Sequence, residues 1–395
     1  MKRFLTFFLI ILTAILLVGC DDTPKNKNKY TQHVFYLEEA FSIMPVIDIR
    51  VPNQYLTKAK KEQLENDLNK IVLNLDKKFN IQNRGDGYKT ELMKVNENAG
   101  IAPVKVSEEV IKILKKAIEA AELSICESCD NKALFDPTIA VVWDLWNFTN
   151  NYYDELEDNR TNPPADEDIQ AALQLVDFRK IIIDEENSTV FLAEKGMKID
   201  LGGIVKGYAA DKVKEYLLSQ GVTKAIIDIG GNIHTIGSGV ANDGKDRSWR
   251  LGLQTPFAGP FNNKLPSIFG TYIIDDLTIV TSGIYERYIK DEDGNDYHHI
   301  LDPRTGYPFD NNVVAVSIIT TNSMWADALS TSIFALGLDE GMRKIESMDG
   351  VEAVFVVKNG DSYEVYISSG AKDNFIYNEK MNDYKYAFKG IYKGE

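Results

Sequence analysis

The chain is short of positive charge. Its 44 Lys and Arg stand against 59 Asp and Glu, a formal net charge of −15. Nucleic-acid binders need a basic face, so a nucleic-acid partner is excluded. The same deficit means that an anionic ligand must be met locally, by a few cations, by helix N-termini or by a metal ion. Cysteine is scarce as well, with three in 395 residues. Cys126 and Cys129 form a lone C-x-x-C. A zinc site would need further ligands, and there is no second pair. No thioredoxin-like context surrounds it either. The plainer reading is a small structural disulfide, or two idle thiols at a helix end, with a redox role as the alternative. Histidine numbers only four. There is no internal repeat, no Walker A loop and no G-x-G-x-x-G fingerprint.

The N-terminus stands apart from the rest. Lys2 and Arg3 precede an almost wholly apolar run from Phe4 to Val18, which ends in Gly19-Cys20. A small residue directly before Cys at the end of such a run has the form of a bacterial lipobox. Cleavage before Cys20 and lipid on its sulfur are expected. The alternative is an uncleaved apolar anchor with an incidental Cys. Either places the remainder of the chain on the outer side of a membrane. Residues 1–19 are thus read as a signal peptide, 20–32 as a polar tether, and 33–395 as one folded domain.

Within that domain, Val46–Val51 alternates like an edge strand, and 57–79 carries apolar residues at helical spacing. Ser107 is placed to cap a second helix. Two short strands flank residues 184–187. Met197–Leu201 reads as a strand feeding Gly202-Gly203 and then a helix to Gln220. Strands are expected at 225–229, 232–236, 249–254, 272–281, 284–290 and 313–320. A helix capped by Asn322 or Ser323 runs to Leu336, and a short helix and a hairpin around Gly360 close the chain. Segments 149–168 and 256–270 read as surface excursions. The sum is an α+β fold, with helices packed on mixed, largely antiparallel sheets, as one domain of two intimate lobes.

Four segments are too specific to be packing alone. Asp136-Pro137-Thr138 is a turn feeding the aromatics Trp143, Trp146 and Phe148. Asp200-Leu201-Gly202-Gly203 ends a strand and opens a helix, where free N–H groups attract phosphate. Lys206 stands in that first turn, opposing the helix dipole, a placement that an anion contact would explain. His298-His299-Ile300-Leu301-Asp302-Pro303-Arg304-Thr305-Gly306 holds half of the histidines. A histidine there serves equally as a general base or as part of a turn clamped by Arg304. Asp327, Ser330 and Thr331 share one helix face and offer hard oxygens that suit Mg2+. Helix capping is the plainer account of the same residues.

Taken together, these segments resemble the ApbE family, the FAD:protein FMN transferases. The resemblance runs from about Phe41 to Gly337. It is carried by 200–209, by Asp228-Ile229-Gly230-Gly231-Asn232, by Thr281-Ser282-Gly283-x-Tyr285-Glu286-Arg287, by 299–306 and by Ala326-Asp327-Ala328-Leu329-Ser330-Thr331, in the family's order. It implies that Asp136, Pro137, Thr138, Asp200, Lys206 and the backbone near Leu301 hold FAD as substrate. It implies Mg2+ on Asp327, Ser330 or Thr331 and the Gly203 carbonyl, with His299 as general base. The expected reaction moves FMN from FAD to a Ser or Thr hydroxyl of an extracytoplasmic redox protein and releases AMP. An FAD pyrophosphatase or a non-catalytic flavin-binding lipoprotein are the alternatives. Two places depart from the family: Ile43-Met44-Pro45 where it has Gly-Thr, and Gln82 where it often has an aromatic. Gln82 is expected to leave bound FAD open to water, so that some FAD is hydrolysed.

Overall fold

The computed structural model describes residues 29–394 except 83, 84, 86, 128, 130, 155, 156, 242, 243 and 259–263. Cys20 therefore lies outside the described residues. The framework is a nine-stranded sheet whose spatial order is its chain order. Its strands are β1 (Tyr30–Tyr36), β2 (Val46–Pro52), β3 (Ala225–Asp228), β4 (Asn232–Ile236), β5 (Thr278–Gly283), β6 (Val313–Thr320), β7 (Glu352–Asn359), β8 (Ser362–Ile367) and β9 (Tyr386–Ile391). Neighbours are antiparallel except β8 and β9, which run parallel. The sheet is thus mixed and largely antiparallel, as expected.

Alternation along the strands divides the core between two faces. On one face lie α1 (Lys58–Phe79), α2 (Glu108–Leu123), α3 (Val205–Ser219) and α4 (Ser323–Glu346). Ile47, Ile49 and Ile227 pack with the first three helices. Val316, Ile318 and Phe355 pack under α4. On the other face Ile279, Val314, Val354 and Val356 meet Leu251, Phe269 and Phe375. Those three belong to a small antiparallel sheet of Trp249–Gln254, Ile268–Ile274 and Phe375–Tyr377. Strand β6 is buried along its whole length.

Several local expectations shift. The Val46–Pro52 strand is not an edge, because β1 pairs along it and starts at Tyr30, inside the span read as tether. Met197–Leu201 joins no sheet. The Asn96 side chain takes the place of a strand neighbour: its Oδ1 accepts from Ile199 N at 2.9 Å and its Nδ2 donates to Ile199 O at 3.0 Å. The 272–281 stretch is two strands in different sheets, separated by a turn with Asp276 at φ 55°. Only Tyr288–Lys290 of 284–290 is strand. Ser107 sits at the start of α2 but makes no capping hydrogen bond. Asn322 does cap α4, accepting from Trp325 N at 2.7 Å. That helix breaks at Gly337 (φ 81°) and resumes to Glu346. Strand β9 and the Phe375–Tyr377 strand are additions to the expected set.

Candidate active site

A cavity of about 1120 Å³ opens where the hydrophobic clusters meet. That is room for a ligand larger than most small molecules, whose pockets run to roughly 1,000 Å³. Its centre is polar and is built at the start of α3. There the N–H of Gly207 donates to Asp327 Oδ2 at 2.9 Å. In a regular helix that N–H would bond the carbonyl four residues back, at Gly203. The Gly203 carbonyl is left without this donor. The Lys206 ammonium folds back on Gly202 O at 2.9 Å and stands 3.8 Å from Asp327 Oδ1. Asp327 is 3% exposed. Burial holds its carboxyl above the usual range, against the pull of Lys206 and of the Gly207 and Lys206 N–H groups.

Helices α3 and α4 touch closely enough to make this possible. A Cβ on Gly207 would lie 2.1 Å from Ser323 O. A Cβ on Gly203 would lie 3.7 Å from Thr331 Oγ1, so Gly203 and Thr331 are neighbours across the helix pair. Asp327, Thr331 and Gly203 all line the cavity. Ser330 does not: its hydroxyl donates to Asp327 O at 2.8 Å and meets Ser282 Oγ at 2.8 Å. Its place is behind the site, where it orients Ser282.

The strand-end loops supply the other wall. His299 lines the cavity, and its Nδ1 lies 3.0 Å from Arg287 O. A carbonyl only accepts, so Nδ1 carries the proton and Nε2 presents its lone pair. Burial, then the Arg287 charge, lowers the His299 pKa to about 3. The imidazole is therefore neutral at neutral pH. His298 turns the other way, its Nε2 donating to Phe309 O at 3.0 Å and its Nδ1 accepting from Ile300 N at 3.3 Å. Asp302 and Arg304 form the clamped turn: Arg304 Nε and Nη2 both donate to the Asp302 carboxylate. The segment thus contains the clamped turn and, apart from it, a neutral imidazole on the cavity wall. Leu301 lines the cavity and is bridged to Pro308.

The Asp136-Pro137-Thr138 turn serves the site from beneath. Asp136 accepts from Thr138 N, Thr138 Oγ1 and Phe178 N at 2.8, 2.6 and 2.9 Å. Burial pushes its carboxyl up to about 6. Pro137 O accepts from Asp200 N at 2.9 Å, and Asp200 Oδ1 from Gly202 N at 2.8 Å. The turn thus braces the glycine loop. Asp136, Pro137 and Asp200 line the cavity, whereas the Thr138 side chain is fully buried away from it.

Other residues reach the cavity beyond those expected. Tyr285, Glu286 and Arg287 do so because Ile284–Arg287 is a turn and not a strand. The available signal is Gly283, which the Tyr285 ring overlies closely: a Cβ there would meet the ring at 2.6 Å. Thr149, Tyr152, Tyr153 and Asp154, from the segment read as a surface excursion, also line it. That segment is tied to the Tyr288–Lys290 strand, with Tyr153 N donating to Tyr288 O at 2.7 Å. Gln82 bridges two walls, accepting from Ser42 Oγ at 2.9 Å and donating to Thr149 Oγ1 at 3.2 Å.

The family model described as the ApbE family matches residues 46–355. The chain belongs to the ApbE family. An FAD:protein FMN transferase of Klebsiella pneumoniae (strain 342) is 36% identical over 272 residues, 69% of this chain and 76% of that protein. One from Treponema pallidum (strain Nichols) is 33% identical over 283 residues, 69% and 72% of the two chains. Among solved structures, the flavin transferase ApbE from Vibrio cholerae superposes with a TM-score of 0.71 at 24% identity, covering 87% of this chain and all of that one. The ApbE protein of Thermotoga maritima gives 0.65 at 27% identity over 90% and 99%. This chain therefore has the ApbE fold, with the cavity at its centre.

Proposed function

We propose that this ApbE protein is an FAD:protein FMN transferase. In this reading it moves FMN from FAD to a Ser or Thr hydroxyl of an extracytoplasmic redox protein, with AMP leaving. The observation that carries the reading is one cavity that combines a neutral imidazole, a lysine at a helix start and a buried carboxylate among hard oxygens. The activity named for the relatives agrees with it.

A pyrophosphate placed at the start of α3 would meet Lys206 and the glycine-loop backbone, which the Asp200–Pro137 contact holds in place. His299 Nε2 would take the proton of the attacking hydroxyl. The Arg287 carbonyl holds the ring in the required tautomer. An anionic substrate beside His299 would raise its pKa and improve it as a base.

The donor set fits Mg2+. Asp327, the Thr331 hydroxyl and the Gly203 carbonyl are hard oxygens with one formal charge, as suits an ion that keeps waters and shares phosphate oxygens. Ser330 fits less well, since its hydroxyl is already engaged. When bound, Mg2+ would offset the charge developing on the phosphates.

Anchoring through lipid on Cys20 would place the site on the outer face of a membrane, where the acceptor is expected. Among the described residues no helix is long and apolar enough to cross a membrane. The test of the reaction is incubation with FAD and a flavin-acceptor protein, with and without Mg2+, then chromatography for AMP. Metal-dependent AMP release is expected. Tight FAD binding with no AMP under any metal, acceptor present, would favour a flavin-binding protein instead.

A further inference from the structure

The C-x-x-C pair is not among the residues that line the cavity. In the structure Cys126 and Cys129 form a disulfide at the end of the hairpin made by Ile125–Cys126 and Lys132–Ala133. Both are half-buried. Arg304 Nη1 points at Cys129 Sγ from 3.2 Å. The guanidinium is fixed in that direction. Its Nε and Nη2 hold the Asp302 carboxylate, and Asp302 is itself set in the turn by Tyr307 O and Gly306 N, each at 2.7 Å. Clamping the turn needs only those contacts. The remaining N–H group is directed at a sulfur, which is a weak acceptor in a disulfide.

The same geometry means more once the bond opens. A Cys129 thiolate would gain a charge-assisted partner already in position. Stabilising the reduced form makes a disulfide easier to reduce, and a stabilised thiolate is the better leaving group. We propose that Cys126–Cys129 is a redox-active pair opened by a dithiol reductant, with Arg304 stabilising the Cys129 thiolate. A thiolate of the reductant attacks Cys126 Sγ, the S–S bond breaks, and its electron pair leaves on Cys129. The second thiol of the reductant then displaces Cys126 as a thiol. Two electrons and one proton pass to the protein, which keeps Cys126 as a thiol and Cys129 as a thiolate; the second proton goes to solvent, and the reductant departs as its own disulfide. Asp302 offsets part of the Arg304 charge, so the influence is moderate.

The placement matters for the rest of the molecule. The hairpin leads directly into Leu134–Pro137, one wall of the cavity, and the turn with Arg304 comes after His299 on another. The proposal is independent of which ligand that cavity holds. It is tested by equilibrating the full-length protein in glutathione buffers of graded reduced-to-oxidised ratio, two glutathiones standing in for the dithiol. Thiols are then labelled with a maleimide and counted by peptide mass, so that the peptide with Cys126 and Cys129 is read apart from Cys20. Two thiols should appear within the range that glutathione buffers. Arg304→Gln should need about a tenfold more reducing ratio, the worth of one hydrogen bond to a charged group. Arg304→Lys keeps the charge and should stay close to the parent, and Arg304→Met, which also removes the charge, replaces Arg304→Gln if circular dichroism shows that variant unfolded. A bond that stays closed at every ratio, or a midpoint unmoved in Arg304→Gln and displaced in neither variant, overturns the proposal.

Discussion

At the scale of single residues, the two neighbouring histidines separate cleanly. His299→Ala should slow transfer by roughly 10²–10⁴-fold, the usual worth of a general base, with FAD still bound. His298→Ala should leave the chemistry nearly intact and lower stability, because it removes a partner from Phe309 O and Ile300 N; the cost should be about 1–3 kcal/mol. Thermal melts alongside single-turnover rates distinguish the two, and equal rate losses would remove the case for His299. The sign of the pH effect comes from its lowered pKa. His299 sits at about 3 in the folded chain against 6.5 when unperturbed. Its contribution to stability is therefore complete above 6.5 and is lost as pH falls from there toward 3. A His299→Gln variant should gain on the parent over that window in denaturant titrations. The His299 imidazole resonances of the free protein should not titrate between pH 8 and 5. Asp327→Ala should abolish metal-dependent turnover while circular dichroism stays that of the parent; full turnover without added metal would sink the metal assignment.

At the scale of elements, the site depends on how closely α3 and α4 approach. Gly207→Ala would drive a methyl into Ser323 O and displace the N–H that holds Asp327. We expect a loss of about 1–3 kcal/mol by overpacking, together with loss of metal-dependent activity; a parent-like melt with full activity would show that the helix pair has slack. These elements also show what a sequence can reveal. Asp327, Thr331, Gly203, Lys206 and His299 are legible as cavity residues through the family resemblance, since capping and turn formation account for several of the same residue types on their own. Ser330 and Thr138 share the same motifs but are engaged internally, by Ser282 and Asp136. Spacing cannot tell a hydroxyl facing a cavity from one facing its neighbour. Tyr285, Glu286 and Arg287 are hidden by an alternation that reads as strand, until the Tyr285 ring folds over Gly283. Met197–Leu201 has the pattern of a strand and finds the amide of Asn96 in place of a neighbour. Gln82 also changes meaning. Its amide is held by Ser42 and Thr149 and is not free in the cavity, which weakens the expectation that it admits water.

At the scale of the whole molecule, the fold surrounds one polar centre with apolar walls. In the proposed reading the acidic chain would meet an anionic substrate through Lys206, Arg287, the start of α3 and Mg2+. The sheet order is not legible in the sequence, since its outer strands, β1 and β9, carry little pattern of their own. Attachment to a membrane rests on the N-terminal sequence alone. Cys20→Ala should release the protein from the membrane fraction with its activity retained; complete retention there would favour an uncleaved anchor. Transfer of FMN from this cavity to a protein hydroxyl is tested most directly by incubating the protein with FAD, Mg2+ and an extracytoplasmic flavoprotein subunit, and reading the subunit by mass spectrometry. The predicted result is covalent FMN on one Ser or Thr, one AMP released for each FMN attached, and neither with Asp327→Ala. AMP released without any covalent flavin on the subunit would contradict it.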